Sequence, residues 1–428
     1  MSEALERISE ISKSREIEDT LDMLFGDYLR SAINETIPVV LFGVGAVGKD
    51  LCQILQLHGV RPVCFCDNNP SQIGSSYFGI PVISFAELKD AHRDHLIVVA
   101  SCKYAAEIRQ QLLNNAFATD RIISISSITN PELLGYYQHC AYYTQNPQHA
   151  LTIKDLRNQE EVLTNAYNLL ADKRSKDLFV GRLSLFTSRL DFSQFSKYVV
   201  DYSELNEKER DSFPFYVSPE DYGYFNNDIV RLEEGETLID GGSFNGLSAA
   251  TFAKTCENKK LTYKRIYCFE PDASNFSVLQ KNTAQLPNIT CFQSGLWSHA
   301  ATLNFLSAGE CDPAAFMEAC STKSTDTYAN KVEVQTISID GRFPDEEITF
   351  IKLDIEGAEI EAIEGAVDTI QRCRPKLAIS AYHKHSDIYE LPLLIHKLYP
   401  GYKFYLRHYG YTLFDMVLFA IPPKRNAS

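Results

Sequence analysis

Two strand–turn–helix junctions in this sequence combine glycines with a nearby carboxylate at spacings suited to cofactor binding. The first reads Gly43-Val44-Gly45-Ala46-Val47-Gly48, carries no acidic side chain and is followed by Lys49. Glycine lets a strand turn sharply into a helix and lets a ligand approach the free N–H groups at the helix start. A pyrophosphate meets no repulsion there. Asp67, 19 residues past Gly48 at the end of the next strand, is placed to accept hydrogen bonds from ribose hydroxyls. Gly43, Gly45, Gly48 and Asp67 therefore form a candidate site for a nucleotide, NAD(P) or a sugar nucleotide. The plainer reading is a tight turn that binds nothing.

The second junction, Asp240-Gly241-Gly242-Ser243-Phe244-Asn245-Gly246, has the opposite charge logic. An uncompensated Asp240 at the strand end repels a pyrophosphate and attracts a cofactor bearing a sulfonium and an ammonium. S-adenosylmethionine has both. Glu270, 24 residues beyond Gly246 and followed by Pro271, falls where a second-strand acid meets a ribose diol. Ser294, Gly295 and Leu296 end a third strand at the expected adenine edge, with Leu296 or Trp297 packing on the ring.

Methyl transfer from a sulfonium is an in-line displacement, and an alcohol acceptor must also lose a proton. Asp354 and Glu356 follow a fourth strand and His383 a fifth, the ends at which open α/β sheets bind ligands. His383 is the expected general base. Asp354 or Glu356 orients the acceptor hydroxyl or the imidazole, and Asp354 also borders the cofactor. Glu359 and Glu361 are expected to face solvent or cap the first turn of their helix. A divalent metal on Asp354, Glu356, His383 and His385 is an open alternative, but their spacing is not diagnostic and no metal residues are assigned.

Two βαβ arrays position these residues. Strands at Pro38–Phe42, Pro62–Cys66, His95–Ala100 and Arg121–Ser126 alternate with helices ending at Leu57 and spanning Ala105–Asn115, which implies a parallel sheet. The second array has strands at Thr237–Ile239, Arg265–Phe269, Ile289–Gln293, Ile348–Leu353 and Lys376–Ser380. Its helices run to Lys254, near Phe276–Thr283 and over Glu359–Ile370. Lys403–His408 and Asp415–Ile421, joined around Gly410, read as an antiparallel hairpin. The segment between the arrays is rich in short helical patterns and lacks a convincing strand.

The expected fold is thus α/β, with two doubly wound Rossmann-like domains. The boundaries are a helical segment at 1–36, a nucleotide-binding domain at 37–127, a helical connector or cap at 128–220 and the second domain at 221–424.

The second array resembles the FkbM-type methyltransferases. The resemblance rests on Asp240–Gly246, Cys268-Phe269-Glu270-Pro271, Ile351-Lys352-Leu353-Asp354-Ile355-Glu356-Gly357-Ala358-Glu359, Arg374–Ile379, Tyr382-His383-Lys384 and Arg407-His408-Tyr409. These recur in order over about half of the chain. Ser243 stands where the family more often has alanine. The resemblance implies a class I methyltransferase fold and O-methylation of a sugar, a glycan or a secondary metabolite. The N-terminal array, with Cys66–Pro70 and Gly79–Val82, resembles more weakly the small nucleotide- or sugar-nucleotide-binding domains fused to sugar-modifying enzymes. Acceptor choice is expected from the connector, the insert between Leu306 and Val332, and Tyr382, Arg407 and Tyr409.

Composition narrows the partners. A formal net charge of −15 without a Lys/Arg cluster disfavours nucleic-acid substrates. No Pro-Cys dipeptide is present for cytosine C5 chemistry, and Ile355-Glu356-Gly357 is not the Pro-Pro-aromatic grip of base-amino methylation. Eleven cysteines, scattered apart from Cys64 and Cys66, suggest buried thiols rather than a disulfide framework. Met1–Arg30 reads as an amphipathic helix and not a signal peptide, and no apolar run reaches membrane-spanning length, so a cytoplasmic protein with no membrane partner is expected. Homo-oligomerisation is left open. The rival readings are an oxidoreductase or sugar-nucleotide-binding protein built on the first loop, whose domain shows no Tyr-x-x-x-Lys pair, and a non-catalytic ligand sensor.

Overall fold

Four consecutive apolar residues, Val39–Phe42, form the central strand β1 of the first of two α/β units in the computed structural model. The model describes residues 2–13, 37–57, 59–101, 104–124, 151–187, 223–307, 316–317, 330–409 and 415–423. One unit comprises Ser9–Thr152 and Ser184–Ser196; the other comprises Met1–Ile8, Ile153–Leu183 and Lys197–Ser428. The amphipathic N-terminal pattern is helix α1 over Glu3–Lys13; its remainder lies outside the described residues.

In the first unit β1 is flanked in parallel by β2 (Cys64–Cys66) and β5 (Leu96–Val99). With β3 (Ser76–Tyr77), β4 (Ile80–Ile83) and β6 (Ile122–Ser124), the order is β3-β4-β2-β1-β5-β6. All pairings are parallel except β3 with β4. Helices α2 (Ala46–Leu57), α3 (Phe85–Ala91) and α4 (Ala105–Asn114) follow β1, β4 and β5. The start of α3 is fixed by a capping box between Ser84 and Glu87. Cys64 and Cys66 are core residues packed with Val40, Phe42 and Ile97, and burial pushes the Cys64 thiol up to about 12. It therefore stays protonated and inert.

Gly48, in the first turn of α2, lies so close to the loop that an added Cβ would be 1.9 Å from the Gly43 carbonyl oxygen. Gly45 meets nothing within 4 Å. Gly48→Ala is therefore expected to cost the first unit about 1–3 kcal/mol of stability, while Gly45→Ala stays within about 0.5 kcal/mol of wild type. Denaturant titration of both variants tests this, and equal midpoints would mean the loop yields without cost.

The second unit contains helices α5 (Ile153–Asn158), α6 (Glu160–Leu169) and α7 (Lys173–Thr187), the last running past Leu183. This part of the predicted connector is anchored to the final strands. The Ala171 N–H donates to the Phe404 carbonyl, and the buried Arg407 binds Asp172 and Asp228 at 2.8 and 2.7 Å.

The main sheet of the unit contains β7 (Glu236–Gly241), β8 (Tyr263–Phe269), β9 (Ile289–Phe292), β14 (Phe350–Leu353), β15 (Lys376–Ser380), β16 (Lys403–His408) and β17 (Met416–Ile421). Its order is β16-β17-β15-β14-β7-β8-β9. β7, β8, β9, β14 and β15 run parallel, whereas β17 pairs antiparallel with both β15 and β16. The turn expected around Gly410 lies outside the described residues.

The chain leaves β7 toward β8 and β9, then returns to the other side of β7 as β14 and β15. That reversal opens a crevice beyond the strand ends between β7 and β14.

Between β9 and β14 the chain forms a small second sheet of β10 (Gly295–Leu296), β11 (Ala301–Ser307), β12 (Phe316–Met317) and β13 (Asn330–Ile337). Helices α8 (Leu247–Asn258), α9 (Ala273–Thr283), α10 (Ile339–Arg342), α11 (Glu359–Glu364), α12 (Val367–Cys373) and α13 (Asp387–Leu398) complete the unit. The single helix expected over Glu359–Ile370 is two, because the chain breaks at Gly365. A side chain at Gly365 would meet the Trp297 carbonyl oxygen at 2.2 Å, and its own carbonyl accepts the Asp340 N–H. The Asp340 carboxylate then receives the N–H groups of Asp368 and Thr369 at the start of α12.

Candidate active site

The glycine turn after β7 is fixed to both neighbouring strands. Gly242 and Ser243 donate their N–H groups to the Phe269 carbonyl at the end of β8, while the Ser243 hydroxyl donates to the Asp240 carbonyl at 2.7 Å. Gly242 (φ +71) and Gly246 (φ +84) take left-handed conformations. Gly241 packs against Leu296 and Leu353. Asn245 accepts the Leu247 N–H at the helix start.

Across the crevice, the Asp354 N–H donates to the Gly241 carbonyl at 3.1 Å. The Asp354 carbonyl approaches Gly242 so closely that a Cβ there would lie 1.7 Å from it. The ends of β7 and β14, carrying the two predicted functional segments, are thus in direct contact.

Asp240 is not the uncompensated carboxylate that the spacing suggested. It is fully buried, accepts the Ser248 hydroxyl at 2.7 Å and lies 3.1 Å from the Lys352 ammonium, itself only 2% exposed. Lys352 lies opposite Asp240 in the β7–β14 register and also donates to the carbonyls of Gly241 and Gly242, at 3.2 and 2.9 Å. The pair shapes the loop from beneath, and the attraction argued for a sulfonium is spent on the lysine.

Glu270 does face the loop: its carboxylate accepts the N–H groups of Phe244 at 3.0 Å and Asp272 at 2.9 Å. Burial pushes its carboxyl up to about 7 against these two hydrogen bonds. Pro271 is half-buried beside it. Ser294 is buried, with a hydroxyl that has no hydrogen-bond partner among the described residues, and Leu296 in β10 is buried next to Gly241. Trp297 instead packs with Phe305, Val334 and Ala358 in the core of the small sheet.

Asp354, Glu356 and His383 converge as expected. The His383 Nε2 lies 3.5 Å from Asp354 Oδ1 and 3.7 Å from Glu356 Oε2. Asp354 also accepts the hydroxyls of Tyr382 at 3.0 Å and Tyr224 at 3.4 Å. Glu356 holds φ at +55, a left-handed conformation that costs a non-glycine residue about 1–3 kcal/mol and is retained mainly at functional sites.

Glu359 was missed. Expected on the surface or at the helix cap, it does accept the Ile355 N–H at 2.9 Å, but it is fully buried, with Oε1 3.1 Å from His383 Nδ1. Asp387 completes the cluster; burial and the Glu359 charge push its carboxyl up to about 7.

Burial alone would lower the His383 imidazole, but Glu359 and Glu356 outweigh it and hold the ring well above the ordinary histidine range. Carboxylates face both ring nitrogens, Glu359 at Nδ1 and Asp354 and Glu356 at Nε2, and Asp354 and Glu356, 24% and 25% exposed against 8% for the ring, are the more accessible of these groups to an acceptor. Glu361 is 4.0 Å from Lys384. Of the three residues expected at the acceptor, only Tyr382 reaches the cluster. Arg407 is spent on Asp172 and Asp228, and Tyr409 is buried against Gly223 and Phe419.

In the first unit, the Asp67 carboxylate accepts the N–H groups of Val44 at 2.9 Å and Asn69 at 2.8 Å. Gly43 (φ +113) allows close approach to Ala100, and Lys49 turns its ammonium onto the Tyr77 ring at 3.9 Å. Gly45 and Gly48 complete the turn. The carboxylate is thus tied to the loop itself.

Among the described residues no helix is long and apolar enough to cross a membrane. No curated protein matches the chain. The crystal structure of a methyltransferase FkbM from Methylobacillus flagellatus KT is 20% identical, with 98% of this chain and 99% of that chain covered at a TM-score of 0.55, and shows a shared fold. An Aeropyrum pernix fibrillarin with natively bound S-adenosyl-L-methionine is 11% identical over 47% of this chain and 76% of its own, with a TM-score of 0.30. Residues 36–123 match the C2185-like N-terminal family model. Residues 240–413 match the family model of the methyltransferase FkbM domain.

Proposed function

We propose that the second unit transfers a methyl group from S-adenosylmethionine to a hydroxyl oxygen of a sugar, glycan or secondary metabolite. The observation that carries this reading is the contact between the Gly242–Gly246 turn, faced by Glu270, and the Asp354–Glu356–His383 cluster across one crevice. The residues present fit the cofactor: Gly242 and Gly246, at φ +71 and +84, turn the loop sharply in front of Glu270, and the buried Ser294 hydroxyl lacks a partner among the described residues. Gly241 to Gly246, Glu270, Pro271, Ser294 to Leu296 and Asp354 would hold it, with Asp240 acting from beneath through Lys352. When bound, it supplies an electrophilic methyl on a sulfonium.

The chain's own groups supply alignment and proton removal. Tyr382 and His383 hold Asp354 and Glu356 at the crevice, where both carboxylates are about a quarter exposed, 24% and 25%. Glu356 takes the acceptor's proton as the oxygen–methyl bond forms and the carbon–sulfur bond breaks. For the first unit, the Gly43–Gly48 turn and Asp67 support a nucleotide-type ligand. The oxidoreductase alternative is not favoured beside a methyltransferase domain match.

The cofactor reading makes a pH prediction. To accept two ribose hydroxyls Glu270 must be ionised, yet its carboxyl sits at about 7. S-adenosylmethionine affinity is therefore expected to rise about tenfold per pH unit below 7 and to level off above it. In the ligand-free protein the raised value has the matching sign: it favours folding below the unfolded-chain value and costs stability as pH rises through about 7. Calorimetry from pH 5.5 to 8 on wild type and Glu270→Gln tests the assignment, the variant being expected to bind weakly with no slope. Absence of binding to wild type at every pH would sink the reading.

A further inference from the structure

We propose that Asp354, Glu359 and His383 form a binding site for a divalent cation, through which the methyl acceptor's hydroxyl is held. The three residues come from the end of β14, the first turn of α11 and the end of β15, and one ligand atom of each falls within 4.8 Å of the others. Their sequence spacing alone gave no metal; the fold assembles the set, with Glu359 in the place first given to Glu356 or His385.

A buried histidine supplies the independent observation. The His383 side chain is 8% exposed, points among carboxylates, and neither ring nitrogen makes an aligned hydrogen bond among the described residues. The Glu359 Oε2 atom, on a fully buried side chain, is likewise without a partner among those residues. Buried polar atoms of this kind are usually completed by a water or an ion. The carboxylates of Asp354, Glu356 and Glu359 lie 3.5, 3.7 and 3.1 Å from one imidazole, an excess of negative charge that a divalent ion offsets.

Two carboxylate oxygens and one imidazole nitrogen suit Mn²⁺, Zn²⁺ or Fe²⁺ better than the all-oxygen preference of Mg²⁺ or Ca²⁺. Three protein ligands leave coordination positions open. Resting on the methyltransferase reading, these positions take the acceptor's hydroxyl, whose acidity the cation raises, while Glu356 remains outside the ligand set to receive the proton.

Mn²⁺ titrated into the full chain, with free aquo-ion followed by electron paramagnetic resonance, tests the site. One Mn²⁺ per chain is expected for wild type, with affinity at least about tenfold weaker in Glu359→Gln and in His383→Ala. Glu359→Gln keeps an oxygen for the Ile355 N–H and so should stay folded, as a thermal melt verifies. It should also bind S-adenosylmethionine like wild type. No Mn²⁺ or Zn²⁺ uptake by wild type, or equal uptake by both variants, would overturn the proposal. Mn²⁺ binding without S-adenosylmethionine binding would sink the methyltransferase reading and leave the cation site standing.

Discussion

Lys352→Met is expected to destabilise the second unit by about 3–5 kcal/mol and to abolish cofactor binding. The ammonium is 2% exposed and lies 3.1 Å from a fully buried Asp240 carboxylate. Taking away one member of such a pair leaves the other charge buried and unpaired, which costs far more than the pair is worth. Lys352 also ties the carbonyls of Gly241 and Gly242 from below, so its loss releases the turn itself. The double variant Asp240→Asn/Lys352→Met removes both charges and keeps an acceptor for the Ser248 hydroxyl. It should recover most of the lost stability. Urea unfolding of the two single variants and the double, followed by a signal from the second unit, measures the coupling. A loss below about 1 kcal/mol in Lys352→Met would show that Asp240 does not depend on this lysine. If the double variant is stable and still binds S-adenosylmethionine, Asp240 serves the site only as scaffold.

That lysine marks one boundary of what the sequence disclosed. The glycine turns, Glu270, and the meeting of Asp354, Glu356 and His383 were readable because each depends on local spacing at a strand end. Lys352 was passed over as part of a family motif. Yet a lysine inside the apolar run Phe350-Ile351-Lys352-Leu353, in a strand buried between two parallel neighbours, had to meet a counter-charge. Its register partner is Asp240.

Glu359 was misjudged because the first turn of a helix is a common place for exposed acids. Its place beside His383, whose Nδ1 lies 3.1 Å from Oε1, is a tertiary contact. Helix α13 had no place in the sequence reading: Pro392 lies in its middle, where a proline ordinarily argues for a break. The small sheet was also illegible, since β10 and β11 both pair with β13 across a long insertion. In each case the missing information was non-local contact.

The same distinction between local and tertiary constraint separates two glycines that look alike in sequence. Gly242→Ala should cost about 2–5 kcal/mol and remove cofactor binding, whereas Gly45→Ala in the first unit should do little. At Gly242 the backbone holds φ at +71, which costs an alanine roughly 1–2 kcal/mol. The added Cβ would also lie 1.7 Å from the Asp354 carbonyl oxygen, a backbone atom that no side-chain rotation can move, and such overpacking adds about 1–3 kcal/mol. The two ends of the crevice are forced apart, so the carboxylate that faces the acceptor and the turn that cradles the cofactor shift together. Thermal unfolding and S-adenosylmethionine calorimetry on Gly242→Ala read the two consequences separately. Loss of binding with unchanged stability would mean that the methyl group enters the cofactor's space while the strands keep their contact. Wild-type binding with wild-type stability would mean that β7 and β14 do not approach as closely as the crevice requires, and the catalytic assignment of Asp354 would fall with it.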